Sequence, residues 1–147
     1  METICNTLVY YGDIVAKPRM TQSDKWKKRK CTSKYWRFKD ELLLNSNSCQ
    51  FVLSDAFEVF VFIQMPKTWS LKKKKTMNLT KHNNKPDADN ILKSINDVFG
   101  KNDQARWSNT IHKFWSEESF LIITNKSQKE IDEIENKKIE ILKNIGK

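Results

Sequence analysis

Four side chains of this 147-residue chain stand close enough in sequence to do chemistry together: Asp87, Asp89, Lys93 and, a little further on, Asp103. Pro86 disfavours the helical region for Lys85, so the chain arrives extended and Asp87 can cap a helix that Gly100 is placed to end. Within that helix Ile91, Leu92, Ile95, Val98 and Phe99 fall on one face, which must be buried. Asp89, Lys93 and Asp97, spaced by four, fall in a row on the opposite side. Carboxylate oxygens are hard donors, and Mg²⁺ binds through one or two of them while keeping waters that a phosphate can displace. The same pattern also has a plain structural explanation, since first-turn acids complement the helix dipole and an exposed ion pair forms by itself. Asp103 follows through Gly100-Lys101-Asn102, a turn able to fold back toward the helix. It is the natural third ligand, although turns favour aspartate without any metal.

The surroundings of this segment weigh on the choice. Twenty-seven Lys and Arg against eighteen Asp and Glu give a net charge of +9, which suggests a polyanionic partner, nucleic acid ahead of a membrane surface. The charge is also unevenly placed. Ten basic residues lie between Lys17 and Lys39 (Lys17, Arg19, Lys25, Lys27, Lys28, Arg29, Lys30, Lys34, Arg37, Lys39) against Asp24 alone. Seven lysines and no acid lie between Lys67 and Lys85, among them Lys72, Lys73, Lys74 and Lys75. Trp26 and Trp36 in the first block and Trp69 in the second suit a surface that tracks phosphates and stacks bases, while Trp36 and Trp69 are equally suited to the core. Clustered carboxylates that follow two such blocks are expected in a nuclease, because a metal ion lets anionic ligands and an anionic backbone share one site.

The elements that must hold this segment are short. Thr7–Tyr11 and Ile14–Ala16 are β-prone with Gly12-Asp13 as a turn between them. Ala56–Met65 is a strongly apolar run stopped by Pro66 and reads as the central strand. Trp107–Trp115 and Ser119–Thr124 read as a final pair of strands, joined by Ser116-Glu117-Glu118. Helices are expected at Ser33–Leu44, at Asp87–Phe99 and, by the spacing of residues 131, 134, 141, 142 and 145, over Ser127–Ile145. The mixture favours an α+β fold with a mixed sheet in a single domain. No stretch is apolar enough to span a membrane, and the start lacks the basic and apolar regions of a signal peptide. Cys5, Cys31 and Cys49 fit reduced thiols in the cytoplasm, and His82 with His112 are too few and too far apart for a zinc site.

The residues also resemble a known family. Lys85-Pro86-Asp87-x-Asp89-Asn90-x-x-Lys93, followed by Asp103-Gln104, is similar to the RusA family of Holliday-junction resolvases. Phage-type members share a Pro-Arg-Met-Thr stretch, here residues 18–21, followed by a basic segment containing Trp. The run from Met65 to Lys74 and the aromatic strand around Lys113-Phe114-Trp115 are similar too. The likeness spans residues 7 to about 125, so residues 1–125 read as the endonuclease unit and 126–147 as a helical extension of the same domain. The resemblance implies a homodimeric, structure-selective endodeoxyribonuclease that uses Mg²⁺, with Mn²⁺ able to substitute, and needs no membrane or small-molecule cofactor. It implies Asp87, Asp89 and Asp103 as metal carboxylates and Lys93 as the essential cation. Family members often carry two adjacent acids in the loop, where this chain has Asn102 before Asp103. The expected DNA contacts are Lys17, Arg19, Lys25, Trp26, Lys27, Lys28, Arg29 and Lys30, together with the lysine tetrad 72–75. Two other readings share parts of this pattern. A non-catalytic nucleic-acid-binding module would have the basic blocks without needing the carboxylates, and a protein adaptor would use the C-terminal helix.

Overall fold

A computed structural model describes residues 5–18 and 30–146, with only the backbone described for Cys31 and residues 101–103. In chain order these are strand β1 (Thr7–Tyr11), helix α1 (Lys30–Ser48), strand β2 (Ala56–Gln64), helices α2 (Leu71–Met77) and α3 (Ala88–Val98), a 3₁₀ segment (Gly100–Ala105), strands β3 (Ser108–Ser116) and β4 (Phe120–Asn125), and helix α4 (Gln128–Ile145). The strands form one mixed sheet in the order β1-β4-β2-β3, with β2 and β3 parallel and the other pairs antiparallel. The fold is therefore α+β, as the order of elements predicts.

Period-two alternation decides how the sheet is buried. Phe57, Val59 and Val61 of β2 share one face with Leu8 and Tyr10 of β1 and Leu121 and Ile123 of β4, all buried. Phe38 and Leu42 of α1 and Ile91 and Ile95 of α3 close that core from above. The apolar face predicted for α3 is thus the face it buries, with Leu92, Val98 and Phe99 packed around its edge. No helix among the described residues is long and apolar enough to cross a membrane.

Three expectations need correction, and a fourth element was not foreseen. Trp107–Trp115 and Ser119–Thr124 do form strands, but they do not pair with each other, because β2 lies between them. The connection after Ser116 crosses over the end of β2, where the Met65 amide donates to Ser116 O at 2.9 Å and the Gln64 amide to Ser119 Oγ at 3.0 Å. Stepping over one strand covers about 10 Å, within reach of three residues. The most apolar strand takes the centre because there it gains neighbours on both edges. Second, Ile14–Ala16 forms no strand; this stretch is tied to α3, with Ser94 Oγ donating to Val15 O at 2.9 Å and the Lys17 amide to Asn90 O at 3.3 Å. Gly12 makes the departure from β1 at φ 146°, where a Cβ would meet the Tyr10 hydroxyl at 2.9 Å. Third, α1 extends beyond Ser33–Leu44 at both ends, since Thr32 and Ser46 continue the buried stripe of Tyr35, Phe38 and Leu42. Fourth, the sequence pattern does not announce α2, as it buries nothing; the Ser70 side chain accepts from the Lys73 amide and caps it.

Candidate active site

Asp87 is the N-cap residue of α3, and its carbonyl accepts the first helical bond, from the Ile91 amide at 3.2 Å. Its side chain makes no capping hydrogen bond and is exposed. An aspartate in this place ordinarily stabilises the helix by about 1 kcal/mol through such a bond, so this carboxylate is held by the backbone and left free. Asp89 stands in the first turn, and its nearest cation is Lys93 one turn on, at 3.9 Å, with the two side chains 72 % and 62 % exposed. An ion pair that open contributes little. Both carboxylates also sit at the positive end of the helix dipole, where anionic groups gather readily.

Asp97 does not extend this row as its spacing suggested. It forms an ion pair with Lys17 at 2.8 Å and accepts a hydrogen bond from the Tyr35 hydroxyl. Burial works against the charge on Asp97, but Lys17, Tyr35 and the more distant Lys39 together hold its carboxyl below the usual carboxylate range. Tyr35 in turn is raised well above its ordinary value, by burial first and then by Asp97. At the same end of the helix Arg106 donates to Asn96 Oδ1 at 2.9 Å and to Phe99 O. The helix continues to its C-cap at Phe99, and Gly100 opens the 3₁₀ segment.

The chain reaches Asp87 along the outer edge of β3. The Leu79 amide donates to Trp115 O, the Trp115 amide to Thr80 O, and the His82 amide to Lys113 O, at 2.8, 2.9 and 3.1 Å. Beyond His82 the Lys113 side chain takes over, donating from Nζ to Asn84 O at 2.7 Å and to Pro86 O at 2.8 Å. His82 is buried against the Trp115 ring, 4.1 Å between centroids, and its Nδ1 has no hydrogen-bond partner. Burial, and then the Lys113 charge, keep the His82 imidazole below its ordinary pKa and hence neutral. Neither Lys113 nor His82 is among the site residues expected from the sequence. The signal for Lys113 was available, because it interrupts the core-facing alternation of Ile111 and Trp115.

The expected DNA contacts are spread over three places. Arg19, Lys25, Trp26, Lys27, Lys28 and Arg29 lie outside the described residues, as does the side chain of Asp103. Lys17 is engaged with Asp97, and its amide donates to Asn90 O in the first turn of α3. Lys30 opens α1 and is exposed. Lys72, Lys73, Lys74 and Lys75 occupy α2, with the Lys73 ammonium 4.1 Å above the Trp69 ring. Trp69 packs on Trp115, whereas Trp36 is 49 % exposed with the Lys39 ammonium 4.6 Å from its ring. Among the described residues no three His, Cys, Asp or Glu side chains cluster as a metal site.

The family model described as endodeoxyribonuclease RusA matches residues 12–124, a span that contains α3 and the Asp87–Asp89 pair and stops before α4. No curated protein and no solved structure matches the chain. With well over half of its residues in that match, the chain belongs to the RusA endodeoxyribonuclease family.

Proposed function

We propose that this protein is a divalent-metal-dependent endodeoxyribonuclease that resolves four-way (Holliday) junctions by paired symmetric nicks, in DNA recombination and repair. The observation that carries the reading is the free carboxylate pair. Among the described residues Asp87 and Asp89 have no hydrogen-bond partner for their carboxylates, and they stand at the positive end of α3, where the Lys17 amide also meets Asn90 O.

The donor set suits a hard cation, since both groups offer unengaged carboxylate oxygens to solvent. Asp87 and Asp89 would hold Mg²⁺, with Mn²⁺ as a substitute and Asp103 as a third ligand. When bound, the ion supplies an activated water and neutralises charge that develops on the scissile phosphate. Lys93, on the exposed side of α3, reaches past Asp89 to a phosphate oxygen and orients the strand. The basic segment 19–30 and the tetrad 72–75 track the backbone of the arms, and Lys17, tied to Asp97, anchors the base of the first. Trp36, half exposed, is available to stack on an unpaired base.

A junction with two-fold symmetry calls for a two-fold dimer with one site per subunit. What supports a homodimer is the sheet face away from α1 and α3. There Tyr11, Phe120, Phe62 and Phe114 form a row of stacked or tilted rings across all four strands, with Tyr11 71 % exposed. In this reading residues 1–125 are the nuclease unit and 126–147 a helical extension of it.

Incubation with a synthetic four-way junction, with and without Mg²⁺, tests the proposal on a denaturing gel. Symmetric nicks in opposing strands that appear only with the metal are expected. Tight binding with no strand scission under any divalent ion would point instead to a non-catalytic binding module.

A further inference from the structure

We propose that Lys113 is a positioning residue of this site: its ammonium ties the loop ahead of α3 to β3 and so sets where the Asp87 carboxylate stands. The inference rests on the reading of Asp87 given above.

The register places Lys113 where an apolar side chain belongs. It lies opposite Val61, which is fully buried, and between Ile111 and Trp115 on the helix side of the sheet. A lysine there must find acceptors for its ammonium, because a charge turned toward a core without partners is costly. It finds two main-chain carbonyls, of Asn84 and Pro86, at 2.7 and 2.8 Å. Pro86 O belongs to the peptide that leads directly into Asp87. The main-chain ladder between residues 79–82 and β3 has its last bond at His82, and the Lys113 side chain continues the attachment up to the helix cap. Charge-assisted bonds of this kind are stronger than neutral ones, and two from one ammonium fix both the height and the direction of the loop. At the other end the same helix is fastened by Arg106, so α3 is held between two cations that each bind main-chain carbonyls.

Asp87 makes no side-chain capping bond, and among the described residues its carboxylate has no hydrogen-bond or ion-pair partner, so the backbone sets its placement. Movement of that backbone by about an ångström is enough to cost roughly 10²-fold in a positioned reaction. Lys113 therefore acts on cleavage through Asp87 while leaving the affinity for DNA to the basic segments.

The test compares full-length wild type with Lys113→Met, which keeps the stem and removes the ammonium, with Lys113→Arg, and with Asp87→Asn. Single-turnover cleavage of a four-way junction under saturating enzyme, junction affinity, and hydrogen exchange of the amides around residues 83–88 are read for each. Lys113→Met is expected to slow cleavage roughly 10- to 100-fold, leave junction affinity unchanged, and speed exchange in that segment alone; Lys113→Arg should recover most of the rate and of the protection. A wild-type rate with wild-type exchange in Lys113→Met overturns the proposal. So does faster exchange throughout the sheet, which would mark a purely structural role, or weaker binding at an unchanged saturated rate, which would make Lys113 a DNA contact. Should Lys113→Met not fold, Lys113→Gln, with a single neutral donor type, is expected to lie between Arg and Met in both readouts, and wild-type values for it overturn the proposal. Normal cleavage by Asp87→Asn would refute the site itself, while the exchange measurement would still decide whether Lys113 holds the loop.

Discussion

The two ends of α3 carry the same residue type in opposite circumstances. At its C-terminal end Asp97 is half-buried, paired with Lys17 and hydrogen-bonded by Tyr35, and Arg106 closes the last carbonyls. At its N-terminal end Asp87 is unbonded and Asp89 has only a loose contact with Lys93. Spacing alone treats Asp89 and Asp97 as equivalent members of a row. The partners divide them into a carboxylate tied into the fold and a pair that contributes little to stability where it stands. Groups left largely unengaged at a helix end that attracts anions are the ones a metal or a substrate can use.

The largest effect should come from the open end. Asp89→Asn removes a metal ligand and is expected to lower junction cleavage by about 10²-fold or more, with binding kept or tightened because repulsion toward phosphate falls. Lys93→Ala should likewise lose most cleavage at an unchanged melting temperature, since its side chain is exposed. Wild-type cleavage by Asp89→Asn under identical conditions would erase the contrast between the two ends.

The closed end should answer in stability instead. Asp97→Asn leaves the Lys17 ammonium and the Tyr35 hydroxyl poorly matched, at a cost of about 1–3 kcal/mol, while cleavage at a temperature well below melting is retained. The sign with pH follows from the lowered carboxyl. Its stabilisation is present above the ordinary carboxylate value of 3.8 and is lost as pH falls through the folded value, so the variant and the wild type should converge in acid. Denaturant titrations at neutral and acid pH check this, and an unchanged gap between them contradicts it.

A smaller effect is expected behind the open end, at His82. Its folded value lies below the ordinary 6.5, so the unfolded chain takes up the proton first, and stability is full above that value and declines as pH drops toward the folded one. The fall in melting temperature between about pH 8 and pH 5 should therefore be shallower in His82→Gln than in wild type. Parallel curves would show that His82 carries no such linkage. The smallest change concerns the arms. Replacing Lys27, Lys28 and Arg29 by Ala should flatten the slope of log K against log salt by roughly 0.9 for each phosphate those side chains neutralise, and a slope equal to wild type would remove that segment from the binding surface. The lysine tetrad of α2, where Lys73 lies over Trp69, is expected to contribute less.

Much of the frame was readable before any coordinates. The apolar positions of α3 announce its buried face because a helix repeats within four residues, and the run of β2 announces an interior strand of the sheet. The Ser127–Glu130 capping box starts α4 where its pattern begins. Ile14–Ala16 misled because β-branched and small residues pack as well against a helix as in a sheet, and nothing local says which neighbour they meet. The Asp87–Asp89 pair was visible by type and spacing, but whether either carboxylate was committed elsewhere was not.

By itself, then, the sequence determined what a few neighbouring residues can settle: the face of α3, the carboxylate pair at its start, the two charge blocks that precede it, and the family to which these belong. The tertiary structure decided what depends on partners far apart in the chain. It brought Lys17 and Tyr35 to Asp97, laid Val15 against Ser94, slid β2 between β3 and β4, and set Lys113 beneath the loop that leads to Asp87. Periodicity constrains which way a side chain points, whereas the group it meets is chosen by the packing of the whole core, and no local pattern encodes that choice.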